Sequence, residues 1–226
     1  MKKDHIPTRH KAIIACLTVV LGFMLFGGAS VEAASQTDRK LSQCLKKAAQ
    51  SPDVAIAEAE SWMKKGGGDR ALLCHAYAQF HRGEYSLAGS EFSALAAKSG
   101  NRDRAYLTSL HVKAGLAYSR ADDHVNAEQQ YTKALYLEKQ DPDIWMDRAA
   151  ERASIEKYWD AIDDLNYALT LMPDMTEALR LRGQAWLKLG QEHKAWADLQ
   201  RAAVLDSAEG GVPQPTEQQE GSIPAQ

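Results

Sequence analysis

The sequence predicts an all-α fold, a solenoid of antiparallel helix hairpins, and three observations predict it. Residues recur in one register every 34 positions. Ala, Leu, Glu, Lys, Gln and Arg, the good helix formers, dominate a chain that is 45% apolar and 25% charged. With seven Pro and fifteen Gly in 226 residues, there is little room for a turn-rich β fold. The register is the strongest of the three, because a fixed period of this length marks a stack of repeated supersecondary units.

Taken in order, residues 1–33 stand apart from the repeat. Lys2, Lys3, Arg9 and Lys11 make a basic start, an apolar run follows from Ala12 to Gly28, and Val31-Glu32-Ala33 offers a cut after Ala33. That layout is a secretory signal peptide, or an N-terminal anchor if the segment stays uncut. Either form places the rest outside the cytosol, periplasmic in a bacterium, because the basic end stays inside. Without residues 1–33 the chain keeps 23 basic and 28 acidic residues, a formal charge of −5. That charge gives no attraction to nucleic acid or anionic lipid.

Residues 36–68 hold a degenerate first unit, with Ser51-Pro52 as a cap and first-turn proline before a helix from Asp53 to Lys64. The Gly66-Gly67-Gly68 run is a hinge, since a phosphate cradle needs Gly-Lys-Ser/Thr after a strand. Four clearer units follow at 69–107, 108–141, 142–175 and 176–209. Gly115, Ala149 and Gly183 stand 34 apart, as do Ala127, Ala161 and Ala195, and Ala134, Ala168 and Ala202. Tyr131, Leu165 and Leu199 keep the same step, as do Leu137, Leu171 and Leu205. Ala76, Ala88, Phe92 and Leu95 repeat the pattern upstream after a spacing of 39, so 99–103 is a lengthened connection. Small residues in these columns let two helices approach closely. Gly83, Gly190 and Asp122-Asp123 mark turns within hairpins. The stretch 210–226, rich in Pro, Gln, Glu and Gly, has the composition of a disordered tail.

On Trp145, Ala149, Tyr158, Ala161, Leu165, Ala168 and Pro173, and on Leu179, Gly183, Trp186, Gly190, Ala195, Leu199 and Ala202, the chain resembles the tetratricopeptide (TPR) repeat family. The resemblance is strong over 69–209 and weak over 36–68. It implies a right-handed superhelical solenoid that binds proteins. Arg148 and Arg182 depart from it, standing where the family has an apolar Leu, and Arg152 replaces an aromatic.

No enzyme chemistry is legible. The histidines at 75, 81, 111, 124 and 193 lack metalloprotease spacing, and no Ser or Cys sits in a nucleophile elbow. Asp163-Asp164 and Asp122-Asp123 read as solvated surface. No cofactor and no metal is expected. The resemblance instead implies a concave groove lined by the first helix of each hairpin, with Leu73, Val112, Met146 and Arg180 in one row. Tyr77, Leu116, Ala150 and Gln184 form a second row, and Phe80, Ser119, Ala153 and Leu187 a third. Leu73, Tyr77 and Phe80 make an apolar stripe at i, i+4 and i+7, unless the first unit folds over it. Asp143, Asp147 and Glu177 add an acidic strip. Lys40 and Lys113 fall where a carboxylate clamp would need cations, but Cys44 and Cys74 occupy its Asn places. Those two cysteines are instead candidates for a disulfide. Trp196 and Leu199 lie at the uncovered last hairpin, a candidate edge contact. The expected function is an exported protein-interaction scaffold that takes a peptide or helix in its groove. The alternative is a self-assembling subunit or assembly factor, homo-oligomeric through its open last repeat.

Overall fold

The computed structural model describes residues 36–100 and 103–209. Among them there are helices and turns and no strand. Helix α1 covers 36–50. It is followed by α2 (Pro52–Lys64), α3 (Gly68–Arg82), α4 (Tyr85–Lys98), α5 (Arg104–Arg120) and α6 (His124–Leu137). Then come α7 (Pro142–Ser154), α8 (Tyr158–Leu171), α9 (Thr176–Lys188) and α10 (Glu192–Glu209). Segments 1–33 and 210–226, read as leader and tail, lie outside the described residues. The helices fall into two compact units that part between Gly83 and Glu84.

The first unit packs α1, α2 and α3 around two small clusters. Ala48, Ala55, Ile56 and Ala78 form one, and Cys44, Ala59 and Cys74 the other. Cys44 on α1 and Cys74 on α3 are joined as a disulfide with Cα atoms 5.9 Å apart, inside the range a bridge requires. Trp62 is buried beneath the Gly67 turn, where a Cβ on Gly67 would stand 2.4 Å from the indole. Lys40 lies 4.5 Å above the same ring. Ser51 precedes α2 as expected, but its hydroxyl makes no capping bond. Its carbonyl instead accepts from the Ala55 amide, and Pro52 itself removes one donor that a cap would have served.

The second unit packs α4 to α10 with each helix against the next, and α7 also touches α9. Packing of each short-looped helix on the next, with first helices of successive hairpins also touching at α7 and α9, makes these the hairpins of TPR-type repeats. The small-residue columns do what close packing requires. A Cβ on Gly115 would sit 2.9 Å from the Tyr131 ring, and one on Gly183 2.8 Å from Leu199. Asp103, Asp123 and Asp141 cap α5, α6 and α7, accepting from Ala105, Asn126 and Asp143 amides. The last helix continues through Ser207 to Glu209, beyond the Leu205 column.

Two features of this unit repeat with the period but were not read from the sequence. First, Asp122, Glu156 and Gly190, spaced 34 apart, all adopt left-handed backbone, with φ of 56°, 63° and 71°. Only Gly190 holds that conformation without a Cβ penalty. Replacing Glu156 with Gly should therefore raise stability by roughly 0.5–1 kcal/mol, less the entropy Gly gains when unfolded. A urea titration showing no gain would mean Glu156 makes compensating contacts. Second, Arg148 on α7 forms a bidentate pair with Asp164 on α8 (2.8 and 2.7 Å), and Arg182 on α9 repeats it with Asp198 on α10 (2.8 and 2.6 Å). Asp164 is thus not solvated surface: it is 2% exposed and also meets Arg152 at 2.9 Å. The arginines that depart from the family pattern bring their counter-ions with them, 16 residues downstream.

Candidate protein-interaction site

Each first helix of a hairpin exposes one face that its own partner helix does not cover. In the first unit, α3 carries Leu73, Tyr77 and Phe80, and all three are half-buried. Tyr77 leans on the Ala48, Ala55, Ile56 and Ala78 cluster, so the first unit covers this stripe in part. The Phe80 ring meets His81 edge-on at 5.9 Å.

In the second unit, α5 and α7 carry the expected row. Leu116 is 39% exposed, while Val112 and Met146 are half-buried. Val112 packs against the cluster of Ala127, Tyr131, Ala134, Leu135 and Ile144, and Met146 against that of Ala149, Ala161, Leu165, Ala168, Met175 and Ala178. Beside Val112 opens a cleft of about 900 Å³, lined by Thr108, Lys113, Leu137, Asp141 and Ile144 among others. Arg104 closes one end by donating to the Leu137 carbonyl, and Tyr136, 80% exposed, stands at the rim. Lys113 lines this cleft, and Lys40, in the first unit, lies over Trp62.

Asp147 is the electrostatic centre of the row. It is half-buried on α7 and accepts a hydrogen bond from the phenol of Tyr131, itself 2% exposed. Burial, with Asp143 and Glu151 at i−4 and i+4, pushes its carboxyl up to about 6 against a little weakening from the Tyr131 bond. The same surroundings push the Tyr131 phenol upward, burial first and the Asp147 and Glu151 charges next. Glu151 meets His124 Nδ1 at 2.7 Å. The ionised form of Asp147 is therefore disfavoured in the fold. Its raised pKa contributes stability that is complete below the ordinary value of 3.8 and is lost as pH rises through about 6. Asp147→Asn, which keeps an acceptor for Tyr131, should be more stable than the parent at pH 7.5 by on the order of 2 kcal/mol. The gap should close by pH 4. Melting both proteins across that range checks the prediction, and a pH-independent gap would contradict it. Glu177, the third member of the expected acidic strip, is instead paired with Arg180 at 2.7 Å.

At the far end of the second unit, Trp196 is 64% exposed. Leu199 is half-buried against Gly183, and together with Leu187, Glu192 and His193 the two line a hollow of about 520 Å³. Lys194 lies 4.3 Å over Trp186, and Arg201 pairs with Asp174 at 2.9 Å. Sequence reasoning missed the Tyr131–Asp147 bond and the cleft beside Val112. The only available signal was that Tyr131 and Asp147 share the 16-residue offset of the Arg–Asp pairs. Among the described residues, no three His, Cys, Asp or Glu side chains converge as metal ligands, and no helix is long and apolar enough to cross a membrane.

No family model matches the chain, and no curated protein does. Solved structures do. MamA from Desulfovibrio magneticus RS-1 is 14% identical with a TM-score of 0.66, over 78% of this chain and 96% of that one. MamA MSR-1 is 15% identical at 0.64, over 77% and 98%, and MamA AMB-1 is 15% identical at 0.63, over 80% and 100%. At this identity the likeness shows a shared fold, and that fold is the all-helical repeat architecture.

Proposed function

We propose that the chain is an exported protein-interaction scaffold, without catalytic activity of its own, that holds a peptide or helix of a partner along the first-helix face of its repeats. The observation that carries this reading is the open row on α5 and α7, where Leu116, Val112 and Met146 present apolar surface beside the Asp147 carboxylate. Exposed apolar anchors next to oriented charge are the elements of helix-in-groove recognition. Export rests on the sequence of residues 1–33, and the Cys44–Cys74 bridge fits an oxidising compartment. The partner occupies the row through its own apolar residues, and Asp147 favours a cation at the adjoining position.

The test is capture of partners from native envelopes with the chain as bait, crosslinked before extraction. Leu116→Glu with Met146→Glu should lose the captured partner while helical content by circular dichroism stays unchanged. An identical capture profile from the folded double variant would sink the reading. Light scattering on the purified chain separates the self-assembly alternative. A monomer leaves the scaffold reading in place, and a stable dimer that survives dilution favours the open last repeat as a subunit joint.

A further inference from the structure

We propose that the open end of the α9–α10 hairpin is a second docking site, which receives an amphipathic helix of another protein in the place where a further repeat would begin. The preceding repeat shows how this seat is filled. There α9 packs on α8, covering Ile162 and Leu165 until they are 2% and 1% exposed and placing Ala178 against Leu165. One repeat later, 34 residues on, Trp196 and Leu199 stand at the positions of Ile162 and Leu165, and Leu187 at that of Ala153. They line the 520 Å³ hollow instead of a packed seam. The site is therefore the continuation of an interface the chain already makes between α6 and α7 and again between α8 and α9.

The polar contacts define the occupant more closely. Arg148 on α7 reaches back to Thr132 on α6 at 3.2 Å, and Arg182 on α9 reaches back to Asn166 on α8 at 2.8 Å. Thr132, Asn166 and Gln200 are one 34-residue column. Gln200 is exposed on α10, so it offers its carboxamide oxygen to an Arg of an incoming helix, as Asn166 does to Arg182. The fitting segment has a small residue and a bulky apolar residue on one face, with an Arg one turn along.

Neither residues 210–226 nor α1 of a second copy carries the residues that fit the seat. Residues 210–226, with Pro213, Pro215 and Pro224, lack the small and bulky apolar columns that α9 brings to the equivalent place. At the start of a second copy, the large exposed residues of α1 are polar or charged, among them Arg39, Gln43, Lys46 and Lys47. Such a face matches solvent rather than the Trp196 hollow. The small and bulky apolar face with its Arg, borne on a helix of a different protein, fits the seat.

The experiment uses a fluorescein-labelled synthetic peptide with the sequence of residues 174–190, the helix that fills the equivalent seat. Its anisotropy is followed against the full chain. Saturable binding is expected, weakened at least tenfold by Trp196→Glu. Gln200→Ala in the protein and Arg182→Ala in the peptide should each weaken it severalfold, with no further loss when combined. Met146→Glu, on the first-helix face, should leave it unchanged, so this site and the groove fail independently. Absence of saturation up to about 1 mM peptide, or binding indifferent to Trp196→Glu, overturns the proposal. So does sedimentation showing self-association of the peptide-free chain that Trp196→Glu abolishes, because the occupant would then be a second copy.

Discussion

Asp164→Ala should destabilise the second unit by about 3–5 kcal/mol, the largest effect of any single substitution considered for this chain. The carboxylate is 2% exposed and answers two guanidinium groups, Arg148 through both oxygens and Arg152 at 2.9 Å. Its removal leaves Arg148, 9% exposed, with a desolvated charge and no counter-ion in place of Asp164, only Thr132 at 3.2 Å and the Trp145 ring at 5.0 Å. Arg152 is less affected, because Glu128 still holds it at 2.9 Å. The companion experiment separates the worth of the pair from the cost of breaking it. Arg148→Leu with Asp164→Leu restores the apolar residue that TPR repeats carry at the first position and removes both charges. It should return to within about 1 kcal/mol of the parent, since an apolar replacement avoids the desolvation a buried ion pair must offset. Urea titration followed by circular dichroism reads both. A single variant that loses less than about 1 kcal/mol would mean that water reaches Arg148 in solution.

Loss of the Cys44–Cys74 bridge should cost the first unit about 3–4 kcal/mol, which follows from the loop-closure entropy restored to an unfolded segment with cysteines 30 residues apart. The unit is small: its buried residues are mainly alanines with Ile56, Trp62 and the two cysteines, both nearly inaccessible to solvent. A core of that size gives little margin against chain entropy, so the cross-link decides whether α1 stays docked. Hydrogen exchange on the oxidised chain and on the Cys44→Ala/Cys74→Ala variant should show amides of 36–83 exchanging far faster in the variant, with those of α7 to α10 little changed. Equal protection in both would show that the bridge adds nothing to docking. The same comparison bears on compartment, since a chain that needs this bridge works where thiols are oxidised.

The helical class and the hairpin order were legible in the sequence because packing in a repeat array is periodic. Gly115 must stay small under Tyr131, and Gly183 under Leu199, so the same step returns at every turn of the array. The turns at Gly83 and Gly190 are local chemistry, readable without any partner, whereas the caps at Asp103 and Asp123 were not read and Ser51, which was, makes no capping bond. What the period hid was anything that depends on two columns at once. Arg148 and Arg182 looked like defects in one column. Their meaning lies in Asp164 and Asp198, which only the closure of each hairpin brings within 3 Å. Asp164 itself read as surface, because a charged residue beside Asp163 carries no mark of burial until its counter-ion is placed. Asp147 likewise was recognisable as acidic and groove-facing. Its raised pKa required the loss of solvent first, with the flanking Asp143 and Glu151 carboxylates adding to it. Along this chain, sequence determined which residues repeat and therefore which helices pair, since that depends on size and spacing. The tertiary structure decided which charges are buried and which apolar faces stay open, since burial and ion pairing depend on distances between helices.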